Sequence, residues 1–532
     1  MGFIDVGAAL VVAFVCTSYS RYYLHMLQLE SYQLDGYRRW MAKHREKMLG
    51  WTLNVGVLAS VANVALWLIL SMFLGTDAAE GVATVITLIV FSAVAMRLFV
   101  IQYKVPEKKP FVLTARMKRL YSALALIALA VSLMLAYLGL PPFLLFIGVP
   151  YLALVAGFVM GPIERRVNEY YLNDAKRKLE GRADLIRIGI TGSYGKTSTK
   201  FILQAILSEK FDVLATPSSF NTPMGLTRVI RERLEDHHQV FLAEMGARHA
   251  GDIAELIDLV HPTYGVLTSV GEQHLETFGD IETVANTKYE LLEGLPADGV
   301  AFFAADGGWC DKLFARYEGE KYRAGLSGGY LSMYAEEIQV GSFGSRFILC
   351  DGEGNRVHCQ TRLLGRHNIQ NIALCAAVAR RLGLGMEEIA RGISKAQPVE
   401  HRLQLIPGAR DITIIDDAFN SNPVGASAAL EVLNAFPGRH LIVTPGMVEQ
   451  GKKEWDINYR FGVQLASVCD LAILVGPKRT EPIRQGALHG GMAREDVISV
   501  ADLSEATAVL GRVGRSGDVV LFENDLPDNY SE

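Results

Sequence analysis

The segment Thr191-Gly192-Ser193-Tyr194-Gly195-Lys196-Thr197-Ser198 has the residue types that hold a phosphate chain. It follows a short apolar run, Leu185–Ile190, and precedes a helical pattern from about Thr197 to Leu207. In a turn between strand and helix, successive backbone N–H groups and the positive helix end cradle anionic oxygens. Gly192 and Gly195 let backbone approach closely without a Cβ. Ser193 and Ser198 add hydroxyls, Lys196 supplies a point charge, and the Thr197 hydroxyl suits Mg²⁺. The spacing departs from G-x-x-x-x-G-K-[ST], because Ile190 stands at the first glycine position. A glycine-rich turn with an accidental lysine is the bland alternative; the strand-to-helix setting favours phosphate.

Further polar residues are ambiguous one at a time. Glu244 closes the apolar run Gln239–Glu244, where a metal ligand and a solvated carboxylate fit equally. His274 alone reads as a surface histidine, and Lys288, on an amphipathic helix, as a solvated lysine. Asn368 and Asn371 can bond locally at a helix start; Asp417 and Asn420 can cap or turn ahead of Pro423. Their order behind the phosphate loop changes these readings. Thr-Gly-x-x-Gly-Lys-Thr is the loop form of Mur ligases and folylpolyglutamate synthetases, and over about 186–525 the chain resembles that family. Phe220–Leu226 is similar to its F/L-N-N-x-x-G segment, Glu244–Ala247 to its strand-end glutamate, and His274–Gly279 to its H-L-x-x-F-G motif. Lys288, in Ala285–Glu290, falls on the lysine that family members carbamylate. Gly365–Asn371 matches G-x-H-N-x-x-N, and Glu400–Arg402 resembles the stretch carrying an interdomain arginine. Asp416–Pro423 looks like the D-D-x-Y-N-A-N-P of the subgroup that adds D-alanyl-D-alanine to the muramyl tripeptide.

The resemblance implies ATP and Mg²⁺ as cofactors and a ligase that activates a carboxylate as an acyl phosphate for capture by an amine. Lys196, Lys288, His274 and Arg402 would be catalytic. Gly192, Ser193, Gly195, Lys196, Thr197, Ser198, Asn368, Asn371, Arg402 and Asp417 would hold the nucleotide. Thr197, Glu244, His274 and a carbamylated Lys288 would bind Mg²⁺; Asn221, Thr222, Asp417, Asn420 and Asn422 would contact substrates. Such phosphoryl transfer is chiefly positioning and electrostatic stabilisation. The implied acceptor is a UDP- or lipid-linked peptide and the amine an amino acid or dipeptide, in peptidoglycan or another envelope polymer. Two departures stand out. Cytosolic members begin with a soluble domain that binds the UDP-muramyl end, and this chain begins with apolar stretches. Near the end, Phe522–Asp528 replaces a Lys-Gly-Ser-Arg stretch, leaving the amine open. A poly-amino-acid or folylpolyglutamate-type ligase on another acceptor is one alternative; a membrane transport ATPase is another.

Positioning these residues requires sheets. Apolar runs at Gln239–Glu244 and Tyr264–Thr268, then at Ile412–Ile415, His440–Val443, Leu471–Val475, Val497–Val500 and Val519–Phe522, alternate with helical patterns. That alternation predicts parallel α/β sheets. The expected organisation is a central ATP-binding domain over 185–400, with a small β-rich insertion at about 299–362. A Rossmann-like, doubly wound C-terminal domain would follow over 401–532.

Ahead of them the chain is of another kind. Of 532 residues 50% are hydrophobic, and these concentrate before about position 162. Apolar stretches at about Phe3–Ser18, Trp51–Leu74, Val82–Ile101, Leu120–Leu138 and Phe143–Gly161 predict a membrane region over 1–163, then a helical linker over 164–184. Arg38, Arg39, Lys43, Arg45 and Lys47 flank the first connector, and Lys104, Lys108, Lys109, Arg116, Lys118 and Arg119 the third. Excess Lys and Arg mark the cytoplasmic side, which places the N-terminus outside, the later domains in the cytosol, and the protein in the inner membrane as a multi-pass chain. The spans hold almost no ionisable group beyond Asp5 and Arg97 near their ends, which favours anchoring or docking of membrane lipid over transport. The aromatic, basic connector Tyr22–Met48 reads either as an interfacial helix or as a plain link. A net charge of -5 gives no basic footprint for nucleic acid. Six scattered cysteines without a CxxC pair read as reduced, buried thiols.

Overall fold

A computed structural model describes residues 2–103, 110–217, 220–272, 275–326, 330–341, 343–419, 422–448 and 450–524. They form two compact units that divide between Glu169 and Tyr170.

The first unit is helical. Among the described residues five stretches are long and apolar enough to cross a membrane, Phe3–Leu29, Gly50–Leu74, Thr76–Ile101, Ala115–Tyr137 and Pro142–Glu180, the last ending beyond the division at Glu169. Leu58, Ile69, Phe73 and Ile89 are exposed along them, which suits a hydrocarbon solvent. The expected linker is not a separate element, because one helix runs Val149–Glu180 with Pro162 inside it. The aromatic connector forms two short helices, Arg21–Leu29 and Leu34–Lys43, whose Tyr23, Leu24, Leu27, Tyr37 and Trp40 are buried in the core of this unit. Tyr37 donates to the Pro150 carbonyl at 2.9 Å. The apolar face of the connector is therefore covered by protein. Arg119 makes a two-pronged bond to Glu164 at 2.7 and 2.8 Å, pairing a carboxylate that is almost fully covered.

The second unit holds two sheets. The first contains β1 Ile186–Thr191, β2 Val213–Ala215, β3 Val240–Glu244, β4 Tyr264–Leu267, β5 Val300–Ala304, β6 Glu320–Gly325, β7 Met333–Gly341, β8 Gly344–Asp351 and β9 Arg356–Thr361. Their order is β2-β3-β1-β4-β5-β6-β7-β8-β9. Strands β2 to β7 run parallel, and β8 and β9 add antiparallel hairpins. The segment expected as a small insertion is thus the far edge of the same sheet. Its alternation (β9 reads exposed, buried, exposed, buried) marks strands covered on one face, unlike the fully buried β3 and β5. The helices Lys196–Leu207 and Arg366–Arg381 cover one face with Ile202, Leu203, Ile206, Ile372 and Ala376.

The second sheet contains β10 Gln404–Pro407, β11 Thr413–Asp417, β12 His440–Thr444, β13 Leu471–Val475, β14 Val497–Val500 and β15 Val519–Glu523. The order is β10-β11-β15-β12-β13-β14, parallel except for the edge strand β10. β10 escapes sequence reading because Gln404-Leu405-Ile406-Pro407 is short and ends in a proline that only an edge tolerates. All six cysteines are free and buried.

Candidate active site

The loop after β1 is shaped by its neighbours. Gly192 has φ +147°, and a Cβ there would lie 2.1 Å from Thr268 Oγ1. Gly195, at φ +79°, precedes the helix Lys196–Leu207 and faces the Asn371 side-chain amide. The stretch after β4 clamps the loop. Ser193 N donates to the Ser269 carbonyl at 2.8 Å, Tyr194 N to Ser269 Oγ at 2.8 Å, and Ser193 Oγ to the Gly271 carbonyl at 3.0 Å. The Ser193 hydroxyl therefore helps set the loop's shape. Lys196 Nζ donates to the carbonyls of Gly192 (2.6 Å) and Ser193 (3.2 Å), so its charge sits over the loop. Burial lowers its pKa to about 8, with Arg402 acting the same way and Glu244 opposing.

Beside the loop lies the carboxylate of Glu244, at the C-terminal end of β3 and 1% exposed. Its Oε1 accepts from Thr197 Oγ1 at 3.2 Å and from Asn221 Nδ2 at 3.1 Å; its Oε2 accepts from Lys200 Nζ at 3.0 Å. A hydroxyl and a carboxylate oxygen meeting beside a phosphate-shaped loop are hard oxygen donors suited to Mg²⁺. Among the described residues no three His, Cys, Asp or Glu stand together. His274 lies outside the described residues. Lys288, on the helix Ile281–Glu293, is 1% exposed. Burial first, then the nearby Lys196 charge, lowers its pKa to about 7, and its Nζ lies 5.8 Å from the Phe278 ring centre. The bland alternative of a solvated lysine does not hold: this amine is desolvated, and near pH 7 about half of it is neutral.

The turn between the two sheets carries Arg402. His401 and Leu403 flank it with φ +60° and +46°, conformations that side chains other than glycine adopt only under constraint. The constraint comes from the end of β11. Leu403 N donates to Asp417 Oδ1 at 3.1 Å, and His401 Nδ1 lies 2.7 Å from Asp416 Oδ2. Arg402 stacks on Phe419 at 4.7 Å, and its charge is felt at Lys196, Glu244 and Asp417. Burial raises the Asp417 pKa to about 6, with Arg402 opposing.

The remaining expected residues divide. Asn371 lies against Gly195, whereas Asn368 Nδ2 donates to the Leu364 carbonyl at 2.8 Å. His367 is partly buried, its enclosed Nδ1 has no hydrogen-bond partner among the described residues, and desolvation, aided by Arg402, lowers its pKa to about 4. Thr222 and Asn422 cap the helices Pro223–Arg233 and Pro423–Asn434 by accepting from Gly225 N and Gly425 N. Ser198 enters the helix one residue after Thr197, and Asn420 lies outside the described residues. Sequence reasoning missed Lys200. Its signal was spacing, since three residues after Thr197 it shares that residue's helix face.

Two family models match the chain: the Mur ligase middle domain over residues 190–379 and the Mur ligase, glutamate ligase domain over 401–523. The UDP-N-acetylmuramoyl-tripeptide–D-alanyl-D-alanine ligase of Mycobacterium bovis is 31% identical over 357 residues, covering 63% of this chain and 69% of that protein. The ligase of the same name from Escherichia coli is 32% identical over 265 residues, 50% of this chain and 58% of that protein. Among solved structures, MurF from Acinetobacter baumannii superposes with TM-score 0.60 at 26% identity, covering 67% of this chain and 77% of its own. MurF from Thermotoga maritima in complex with ADP gives 0.61 at 25%, covering 67% and 80%. With this loop, this strand-end carboxylate and relatives matched through both sheets, the chain belongs to the Mur ligase family.

Proposed function

We propose that the chain is an ATP-dependent ligase that joins an amine to the carboxylate of a cell-wall precursor peptide, in the manner its relatives' names describe, on the cytosolic side of a membrane. The observation that carries this is the meeting of Thr197 Oγ1 and Glu244 Oε1 at 3.2 Å beside the glycine loop. It unites the nucleotide loop with the end of β3 at one point. Glu244, Thr197, His274 and a carbamylated Lys288 would hold Mg²⁺, which when bound neutralises phosphate charge. Lys196 and Arg402 would face the γ-phosphoryl group as the acceptor carboxylate attacks it. Gly192, Gly195 and Ser198 would line the phosphates, with Asn368, Asn371 and Asp417 further along the nucleotide. Asn221, Thr222, Asn420 and Asn422 would border the substrates. The amine then displaces phosphate from the acyl phosphate, leaving an amide, ADP and phosphate. The lowered pKa of Lys288 favours this reading, because only an unprotonated amine adds CO₂ to become a carbamate.

The domain reading supported by the sheets is 1–163 in the membrane, 185–400 for the nucleotide and 401–532 for the amine. The five apolar helices and the Lys and Arg of their connectors support a multi-pass anchor, so a lipid-linked acceptor joins the UDP-linked one as a candidate. The test uses the full chain in detergent with ATP, Mg²⁺, D-alanyl-D-alanine and UDP-muramoyl tripeptide or its lipid-linked form. With ¹⁸O in the acceptor carboxylate, the reading requires ¹⁸O to appear in inorganic phosphate beside a new amide. Phosphate released without ¹⁸O, and without amine dependence, would favour a transport ATPase.

A further inference from the structure

Lys200 has no part in the reaction described so far, yet it is buried completely, with 0% exposure. A desolvated ammonium is costly unless it is paired and bonded. Apolar residues of similar volume fill a core as well as an ion pair or better, so packing alone does not call for a lysine. The contact with Glu244 is specific. Nζ donates to Glu244 Oε2 at 3.0 Å, while Thr197 and Asn221 are gathered on Oε1. The two oxygens of one carboxylate thus have separate duties. Oε2 is capped by a cation held in the core, and Oε1 is turned toward the loop hydroxyl.

We propose that Lys200 restricts Glu244 to a single-oxygen ligand and so makes the site select Mg²⁺ over Ca²⁺. The proposal rests on the reading of Glu244 as a metal ligand. Mg²⁺ demands near-octahedral geometry with single oxygens, whereas Ca²⁺ takes more oxygens and readily binds both oxygens of a carboxylate. For Ca²⁺ to reach Oε2, Lys200 must leave it. The lysine is fully buried, with the Phe201 ring centre 4.5 Å from Nζ, so no solvent can receive the displaced charge. Ca²⁺ is left with one oxygen of Glu244 and an underfilled shell. Mg²⁺ loses nothing. Lys200 is in these terms a positioning residue.

The test is calorimetric titration of MgCl₂ and CaCl₂ into the full chain in detergent, saturated with a non-hydrolysable ATP analogue, for wild type, Lys200→Met and Lys200→Arg. The expected result is a rise of about tenfold in the Ca²⁺-to-Mg²⁺ affinity ratio for Lys200→Met, with Lys200→Arg near wild type, since the carboxylate is freed only in the former. A folded Lys200→Met variant with an unchanged ratio overturns the proposal, since a purely structural lysine would move stability alone. If Lys200→Met does not fold, a crystal structure of the wild type with Ca²⁺ and the analogue decides. Coordination through Oε1 alone, with Lys200 still on Oε2, supports the proposal; both oxygens on Ca²⁺ overturns it. Wild type that binds neither ion sinks the metal reading itself, a result distinct from bound metal without selectivity.

Discussion

Single atoms decide much of this site. Replacing Gly192 by alanine puts a Cβ 2.1 Å from Thr268 Oγ1 and 2.9 Å from Ser269 N at a φ of +147°. Gly192→Ala should lose about 1–3 kcal/mol of unfolding free energy, together with nucleotide binding, measured by denaturant titration with and without ADP. Lys288 gives a pH signature. Its pKa falls from 10.5 to about 7 on folding, so between those values the unfolded chain binds more protons and stability rises with pH. Stability is correspondingly lost as pH falls toward 7. Lys288→Met removes that term, and its stability relative to wild type should climb as pH is lowered from 10 to 7; a flat difference would contradict the buried amine. Legibility at this scale was uneven. The phosphate loop could be read because glycine, lysine and threonine are contiguous there. Lys288 was reached only through the order of motifs around it and Lys200 not at all, because a lysine on an amphipathic helix looks solvated until the sheet beneath it is known.

At the scale of elements, periodicity carried the reading. Strand β13 falls at the residues its apolar run marks, since a buried parallel strand is an uninterrupted apolar run. The strands β5 to β9 were legible as strands but not as parts of the main sheet, because neighbours within a sheet are fixed by long-range pairing that alternation does not encode. Asn422 exposes a related ambiguity, since an asparagine ahead of proline serves a helix start and a substrate equally well in sequence. Its Oδ1 accepts from Gly425 N at 2.9 Å. Asn422→Ala should therefore lose about 1 kcal/mol and Asn422→Asp should regain it, read by thermal unfolding.

As a whole the molecule carries a helical unit ahead of Mur ligase domains. The proposed topology, argued from the connector charges, would put the 38–47 and 116–119 segments in the cytosol and the Gly139–Pro142 turn outside. Because all six native cysteines are buried, an added cysteine reports cleanly. Gly139→Cys should react with a membrane-impermeant maleimide on intact spheroplasts and Arg38→Cys only after lysis; the reverse pattern would put the nucleotide loop outside, away from ATP. The central claim is that the loop at Lys196 activates a carboxylate for capture by nitrogen. The measurement that tests it most directly is amide formation, followed by mass spectrometry, for wild type and Lys196→Ala in detergent with ATP, Mg²⁺, UDP-muramoyl tripeptide and D-alanyl-D-alanine. Wild type should form the amide in step with ADP, and Lys196→Ala should be slower by about 10²–10³, the loss typical of one electrostatic stabiliser. Undiminished condensation by Lys196→Ala would contradict the account.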